Sequence, residues 1–261
     1  MKNILFLDSN DGIQNYDNSA SEYNNYHSYN LYFPLSIPLL NVKSISLKSI
    51  ELPINLPNVR KFTGKSELSF SFIKDGATTS FTYWVNSGYY TTMNDFIPAV
   101  RGGFTSVNIA VGGPRPNIVL STTTNSLGYT VAYITHSCTS MTFKNTILNR
   151  VLLGLQTDTP LSSPITGLYP INLNPDTHFY MHLSNIPTYN INNKQATFKI
   201  PLLDKNLDNS KLFYNEKDEN QTNYEINKDI DKISIIMYDQ FGFPLIGYNN
   251  WAVEFLIEDN E

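Results

Sequence analysis

The sequence predicts an all-β fold, an antiparallel β-sandwich, and three observations carry the prediction. Apolar and polar residues alternate in short runs along most of the 261 residues, the period-two pattern of strands with one buried face. Only two stretches have helical spacing, and strands and helices do not follow one another in the rhythm of a parallel α/β sheet. Charged residues make up 16% of the chain, against about 25% in an average soluble protein. Asn, Ser, Thr and Tyr fill the difference, a composition suited to strands, turns and hydrated interfaces.

Hydrophobic residues at 41% and aromatics at 13% suffice for a substantial core, and no compositional break divides the chain, so one domain over residues 29–261 is expected. Residues 1–28 are expected as a polar N-terminal arm. Its apolar run, Ile4 to Leu7, is stopped by Asp8, and Ser9 to Ser28 has too few aliphatic side chains to build a core of its own. Tyr29 to Phe33 is the first expected strand, closed by Pro34 and Pro38. Val42 to Leu52 is the second, with a change of register near Ser49 that indicates a bulge. Leu68 to Phe72 and Phe81 to Val85 form a hairpin through Asp75-Gly76. Thr92-Met-Asn-Asp95 has the form of a capping box, with Pro98 and Gly102 limiting the helix after it to a short one.

Asn117 to Leu120 and Tyr129 to Ile134 are expected to pair. Phe143, Ile147, Leu148, Val151, Leu152 and Leu155 then recur at helical spacing and predict a helix of about three turns ending near Gly154. Thr177 to Leu183 and Ala196 to Ile200 read as strands. Ile233 to Met237 and Val253 to Ile257 are expected to close the chain as a hairpin with a wide loop.

The net charge is -5, and most of it is local: between 203 and 231, eight acids face four bases. This acidic insertion reads as a solvated polar segment, and a chain of this balance lacks the basic surface of a specific nucleic-acid binder. Cys138 is the single cysteine, so no intrachain disulfide and no cysteine-rich metal site are expected, and assembly inside a cell is the easier reading. The run before Asp8 is too short for a signal peptide, and no apolar segment has the ~18 residues of a membrane span.

Candidate chemistry is thin. Gly64-Lys65-Ser66 has the end of a phosphate loop, but the first glycine of that pattern falls at Val59 and a strand follows where a helix is required. His178 and His182 would share a strand face ~13 Å apart, too far to chelate one metal. Asp204, Asn206 and Asp208 imitate the start of a calcium loop, yet Asn209 and Asn215 stand where its glycine and bidentate glutamate belong. Gly102-Gly103 and Gly112-Gly113, with Arg101 and Arg115, could approach an anion or simply form a flexible loop. His136 with a serine and an aspartate would be a triad only if the fold brought them together. Trp84 and Trp251 could line a sugar-binding groove, although core positions suit both. No catalytic, cofactor-binding or metal-binding residue is assigned, and no enzyme is expected.

The order of several short motifs along the chain is more informative. Phe6-Leu-Asp-Ser-Asn10, Tyr29-Asn-Leu-Tyr-Phe33 and Val42-Lys-Ser-Ile-Ser-Leu-Lys-Ser-Ile-Glu-Leu-Pro53 are followed by Ser87-Gly-Tyr-Tyr-Thr91 and Arg150-Val-Leu-Leu-Gly154. Tyr180-Met-His-Leu-Ser-Asn-Ile-Pro187, Tyr238-Asp-Gln-Phe-Gly242 and Trp251 complete the series. Over nearly the whole chain, Phe6 to Glu258, this resembles the penton and minor capsid proteins of virophages, polinton-like viruses and related large double-stranded DNA viruses. The resemblance implies a single jelly roll with two short helices and long loops, assembled as a homopentamer at the icosahedral vertex of the virion. It implies contacts with a double-jelly-roll major capsid protein and, through the arm, with other minor capsid proteins. Gly-Tyr-Tyr-Thr and Leu-Leu-Gly are structural in that reading. The alternatives are a minor capsid or cement protein of the same virus class, and a carbohydrate- or receptor-binding β-sandwich.

Overall fold

A computed structural model of the chain describes residues 2–15, 30–53, 59, 65–110, 115–173, 176–184, 186, 188–191, 194–202, 211–215, 223–243, 245 and 251–259. In chain order the strands are β1 (Lys2–Asp8), β2 (Ile13–Asn15), β3 (Asn30–Pro53), β4 (Glu67–Lys74), β5 (Ala77–Trp84), β6 (Val119–Thr124), β7 (Thr130–Thr135) and β8 (Ser140–Phe143). They continue with β9 (Ile165–Thr166), β10 (His178–Leu183), β11 (Tyr189–Ile191), β12 (Lys194–Ala196), β13 (Phe198–Pro201), β14 (Lys211–Asn215), β15 (Tyr224–Asp239) and β16 (Ala252–Asp259). One α-helix, α1 (Met93–Ala110), lies between β5 and β6. Every strand pairing is antiparallel, so the expected all-β class holds. The chain divides into two compact units, residues 1–55 with 176–261, and residues 56–175.

In the first unit the 24-residue β3 is the spine. Register fixes its neighbours. Val42, Ser44 and Ile45 pair with both β15 and β16, and Ser49, Ile50 and Glu51 with both β14 and β16. A strand has only two sides, so β15 and β14 share one side of β3 and β16 lies on the other, where β2 also joins. β1 extends the sheet beyond β16, while β10 and β13 extend it beyond β15. Phe198 of β13 and Phe255 of β16 meet with ring centroids 5.9 Å apart. Strands four steps apart in a flat sheet would stand about 19 Å apart, so this sheet has curled into two facing layers. Between them lie Leu31, Phe33, Ile45, Leu47, Met181 and Val253, all buried.

The second unit holds two three-stranded sheets, β5-β4-β8 and β6-β7-β9, around one core. The β4–β5 hairpin turns through Asp75 and Gly76, at φ 50° and 80°, the geometry of a two-residue type I′ turn. Phe70 on β4 is the centre of the core, with Phe104, Phe81, Phe143 and Phe72 at centroid distances of 5.3, 5.8, 5.9 and 6.5 Å. Thr92 and Asp95 form the expected cap of α1: the Thr92 hydroxyl donates to the Asp95 carboxylate at 2.7 Å and accepts from the Asp95 N–H at 3.3 Å.

Several expectations are corrected. The helix does not stop at Gly102 but runs 18 residues. Pro98 is tolerated because it faces solvent, where water can satisfy the carbonyl it leaves unpaired. Gly103 is a packing residue, since a Cβ there would come within 2.7 Å of Tyr83 and 2.8 Å of Leu68. The three-turn helix expected from Phe143 shrinks to five residues of π-helical turn, Leu148–Leu152, because Phe143 ends strand β8. Tyr29 to Leu52 is not two strands divided by Pro34 and Pro38. β3 runs through both prolines, where, among the described residues, only its β15 side is paired. β15 and β16 do not form a closing hairpin, because β3 lies between them. The bulge expected near Ser49 is present: Leu47 and Ser49 pair with Phe255 and Glu254, leaving Lys48 out of register. Of the expected arm, residues 2–15 hold β1, a 3-10 turn and β2, with Leu7 buried. Residues 1 and 16–28 of the arm and Tyr29 of the expected first strand lie outside the described residues, as do 203–210 and 216–222 of the acidic insertion.

Candidate functional site

The side chains singled out for chemistry are placed one by one by the fold. Lys65 and Ser66 sit in a buried turn, and β4 follows them directly, so no helix N-terminus is available to a phosphate. His178 and His182 both lie on β10, on the face opposite the buried Phe179, Met181 and Leu183. His178 is tied into a local chain: the Thr177 hydroxyl donates to Gln240 at 2.8 Å and so accepts from Nδ1 at 2.9 Å, while the Tyr180 hydroxyl donates to Nε2 at 2.8 Å. Burial lowers the pKa of His178 and His182 alike, and among the described residues Nδ1 of His182 has no hydrogen-bond partner.

His136 accepts the Cys138 N–H at 3.2 Å through Nδ1, and burial lowers its pKa too. Burial raises the Cys138 thiol, the opposite of an activated nucleophile. Arg101, on α1 and not in a loop, donates to the Leu120 carbonyl at 3.1 Å, and the backbone carbonyl of the exposed Arg115 accepts from Lys74. Trp251 is buried against Phe33 at 6.0 Å. Asp204, Asn206, Asp208, Gly112 and Gly113 lie outside the described residues, and among those described no three His, Cys, Asp or Glu side chains gather as a metal would need.

Several apolar side chains stand exposed on ordered strands and loops. In the second unit, Gly167 donates to the Ala132 carbonyl at 2.8 Å and Ile171 to the Thr130 carbonyl at 3.1 Å, so residues 168–170 bulge out beside β7. Tyr169 in turn donates its N–H to the Gly154 carbonyl at 3.1 Å. Gly154 has φ +65°, and a Cβ on it would overlap the Tyr169 carbonyl. Only glycine allows this approach, which gives Leu-Leu-Gly154 a structural role. The result is a fixed loop with Leu168 and Tyr169 more than half exposed, beside the β6–β7 turn that exposes Leu127 and Tyr129.

Below the same region, the fully buried Asn149 donates to the Ser69 and Lys144 carbonyls at 2.7 and 2.9 Å, joining the π-turn to β4. Sequence reasoning missed these side chains because each takes its place from a distant backbone partner.

In the first unit, β1 is an end strand of the sheet, with Ile4 56% and Phe6 57% exposed. Lys2 bonds Glu258 at 2.9 Å across β16 and holds that carboxyl below its usual pKa.

No family model matches the chain, and no curated protein does. Among solved structures there is a match to a viral protein. That structure is the mavirus penton protein. It covers 99% of this chain and 99% of its own, at 10% sequence identity and a TM-score of 0.44. At that identity no residue role carries over from the mavirus penton protein to this chain. Among the described residues no helix is long and apolar enough to cross a membrane.

Proposed function

We propose that this chain is a structural subunit of a viral capsid, the penton that closes an icosahedral vertex as a homopentamer, working by shape and contact surface without catalysis or cofactor. The observation that carries the reading is apolar side chains held out in water on an ordered β-frame: Leu127, Tyr129, Leu168 and Tyr169. Such groups are the anchors from which subunit interfaces are built. The order of motifs from Phe6 to Glu258 supplies the capsid context. The partners are further copies of itself and a double-jelly-roll major capsid protein, with minor capsid proteins met through the N-terminal segment. Five subunits close a ring by heterologous contacts, one surface against a different surface of the next copy. A glycan groove built on Trp84 and Trp251 is disfavoured by the burial of Trp251.

Light scattering of the purified protein, with gold-labelled antibody on intact particles, tests the proposal. A species at five times the 29.6 kDa chain, or a multiple of it, and label confined to vertices are the expected results. Label spread over the facets would transfer the reading to a cement protein, and absence from particles would end the capsid reading.

A further inference from the structure

Among the described residues, the curled sheet ends in two strands, β13 and β1, that treat their open edges differently. β13 has four residues, with Lys199 exposed and Pro201 at its end, the short and charged design that discourages edge-to-edge pairing. β1 has none of these protections. Its seven residues pair with β16 in unbroken register, Lys2 to Glu258 through Asp8 to Ala252, without bulge or proline, and between Lys2 and Asp8 it carries no charge.

Hydrogen bonding shows which groups this edge offers. Ser9, one step beyond β1, donates its N–H to the Trp251 carbonyl at 2.9 Å, so the odd-numbered residues turn their backbone groups toward β16. By alternation the N–H and C=O groups of Lys2, Ile4, Phe6 and Asp8 point out of the sheet. The side chains of these same residues share one face, where Ile4 and Phe6 stand exposed.

We propose that this edge docks the β1 strand of a second copy of the chain, antiparallel and centred on Leu5. In that register Lys2 lies opposite Asp8 of the second copy and Ile4 opposite its Phe6, each twice by symmetry, and every outward N–H meets an outward C=O. Lys2 also bonds Glu258 and Asp8 accepts from Asn10 within each chain, so the charged ends share these partners across the pair. The registers one step to either side set Lys2 against Phe6 or Ile4 against Asp8, a charge against an apolar side chain. Matching of apolar with apolar and of opposite charges therefore favours the centred register. The contact is two-fold and cannot itself close a ring of five. It stands apart from the ring contacts: it gives a dimer of single chains, or two rings joined as ten chains where rings form.

Light scattering of the full-length protein across concentration tests it. The wild type is expected to reach two or ten chains, and the I4K/F6K variant, whose changes lie on the exposed face, to stop at half that mass. Ile4→Pro removes an outward N–H while leaving the ladder to β16, and is expected to act alike. A wild type that never doubles, or an I4K/F6K variant that still doubles, overturns the proposal. A second measurement does not depend on those variants. In a Cys138→Ser background, Leu5→Cys places two thiols across the two-fold, where oxidised glutathione accepts their two electrons and two protons as the S–S bond forms. Covalent dimers are expected from Leu5→Cys and not from Asn3→Cys. Equal yields from both would refute the register.

Discussion

The two units of this protein are stitched in different ways. In residues 56–175, β4 meets β5 across the two residues Asp75 and Gly76, and β6 meets β7 across residues 125–129. In the other unit Lys2 pairs with Glu258, Ile45 with Ile257 and Leu31 with Ile235. Turn chemistry specifies the first kind of pair before any tertiary contact exists. The second kind has to bring distant segments together, with loop-closure entropy lost before the contacts form. The contiguous unit is therefore expected to fold first and the unit built from both chain ends to follow, an order that pulse-labelled hydrogen exchange would show as β4 and β5 amides protected ahead of those of β16.

Mutations can sharpen or break this contrast. The largest effect is expected from Phe70→Ala, which removes a ring touching four others and should cost about 4 kcal/mol in denaturant unfolding. Gly154→Ala should cost about 3 kcal/mol, combining a strained positive φ with overlap on the Tyr169 carbonyl. A cost below about 1 kcal/mol would mean that the loop of Leu168 and Tyr169 is not held as described. Gly76→Ala should cost only about 1 kcal/mol, since its φ is also positive but nothing lies within 4 Å of the added Cβ.

The smallest effect is expected from pH. Burial lowers the pKa of His136 in one unit and of His178 and His182 in the other. The unfolded chain then binds protons more readily than the folded one, so this stability is complete above about pH 6.5 and is lost as pH falls toward the folded values. Thermal midpoints between pH 7.5 and 5 should decline, less steeply for His182→Gln. A flat profile would contradict the burial of these rings.

What was legible in the sequence follows the same division. The Asp75-Gly76 turn, the Thr92–Asp95 cap, the β6–β7 pair and the bulge at Lys48 are local, written in side chains close to where they act. The end of α1 was misread because Gly102 and Gly103 carry the signature of a stop, while the reason for Gly103 lies across the fold on Tyr83 and Leu68. Pro34 and Pro38 do not end the strand because a proline does so only where its missing N–H is needed, and among the described residues one side of β3 is unpaired there. That Ile4 to Leu7 pairs with β16 is not legible locally, because nothing nearby in the sequence shows the edge it joins. Of the candidate surface, the exposed loop at Leu168 and Tyr169 had no signal beyond Gly154 itself.

The sequence by itself determined the β class and the local hairpins and helix cap, because periodicity and turn residues are properties of the chain. Tertiary structure alone decided that β3 would separate β15 from β16, that the sheet would curl until Phe198 met Phe255, and that Ile4 and Phe6 would stand at an open edge. An alternating strand states which of its faces is apolar; which strand lies at its edge is settled only by competition among all the edges in the folded chain.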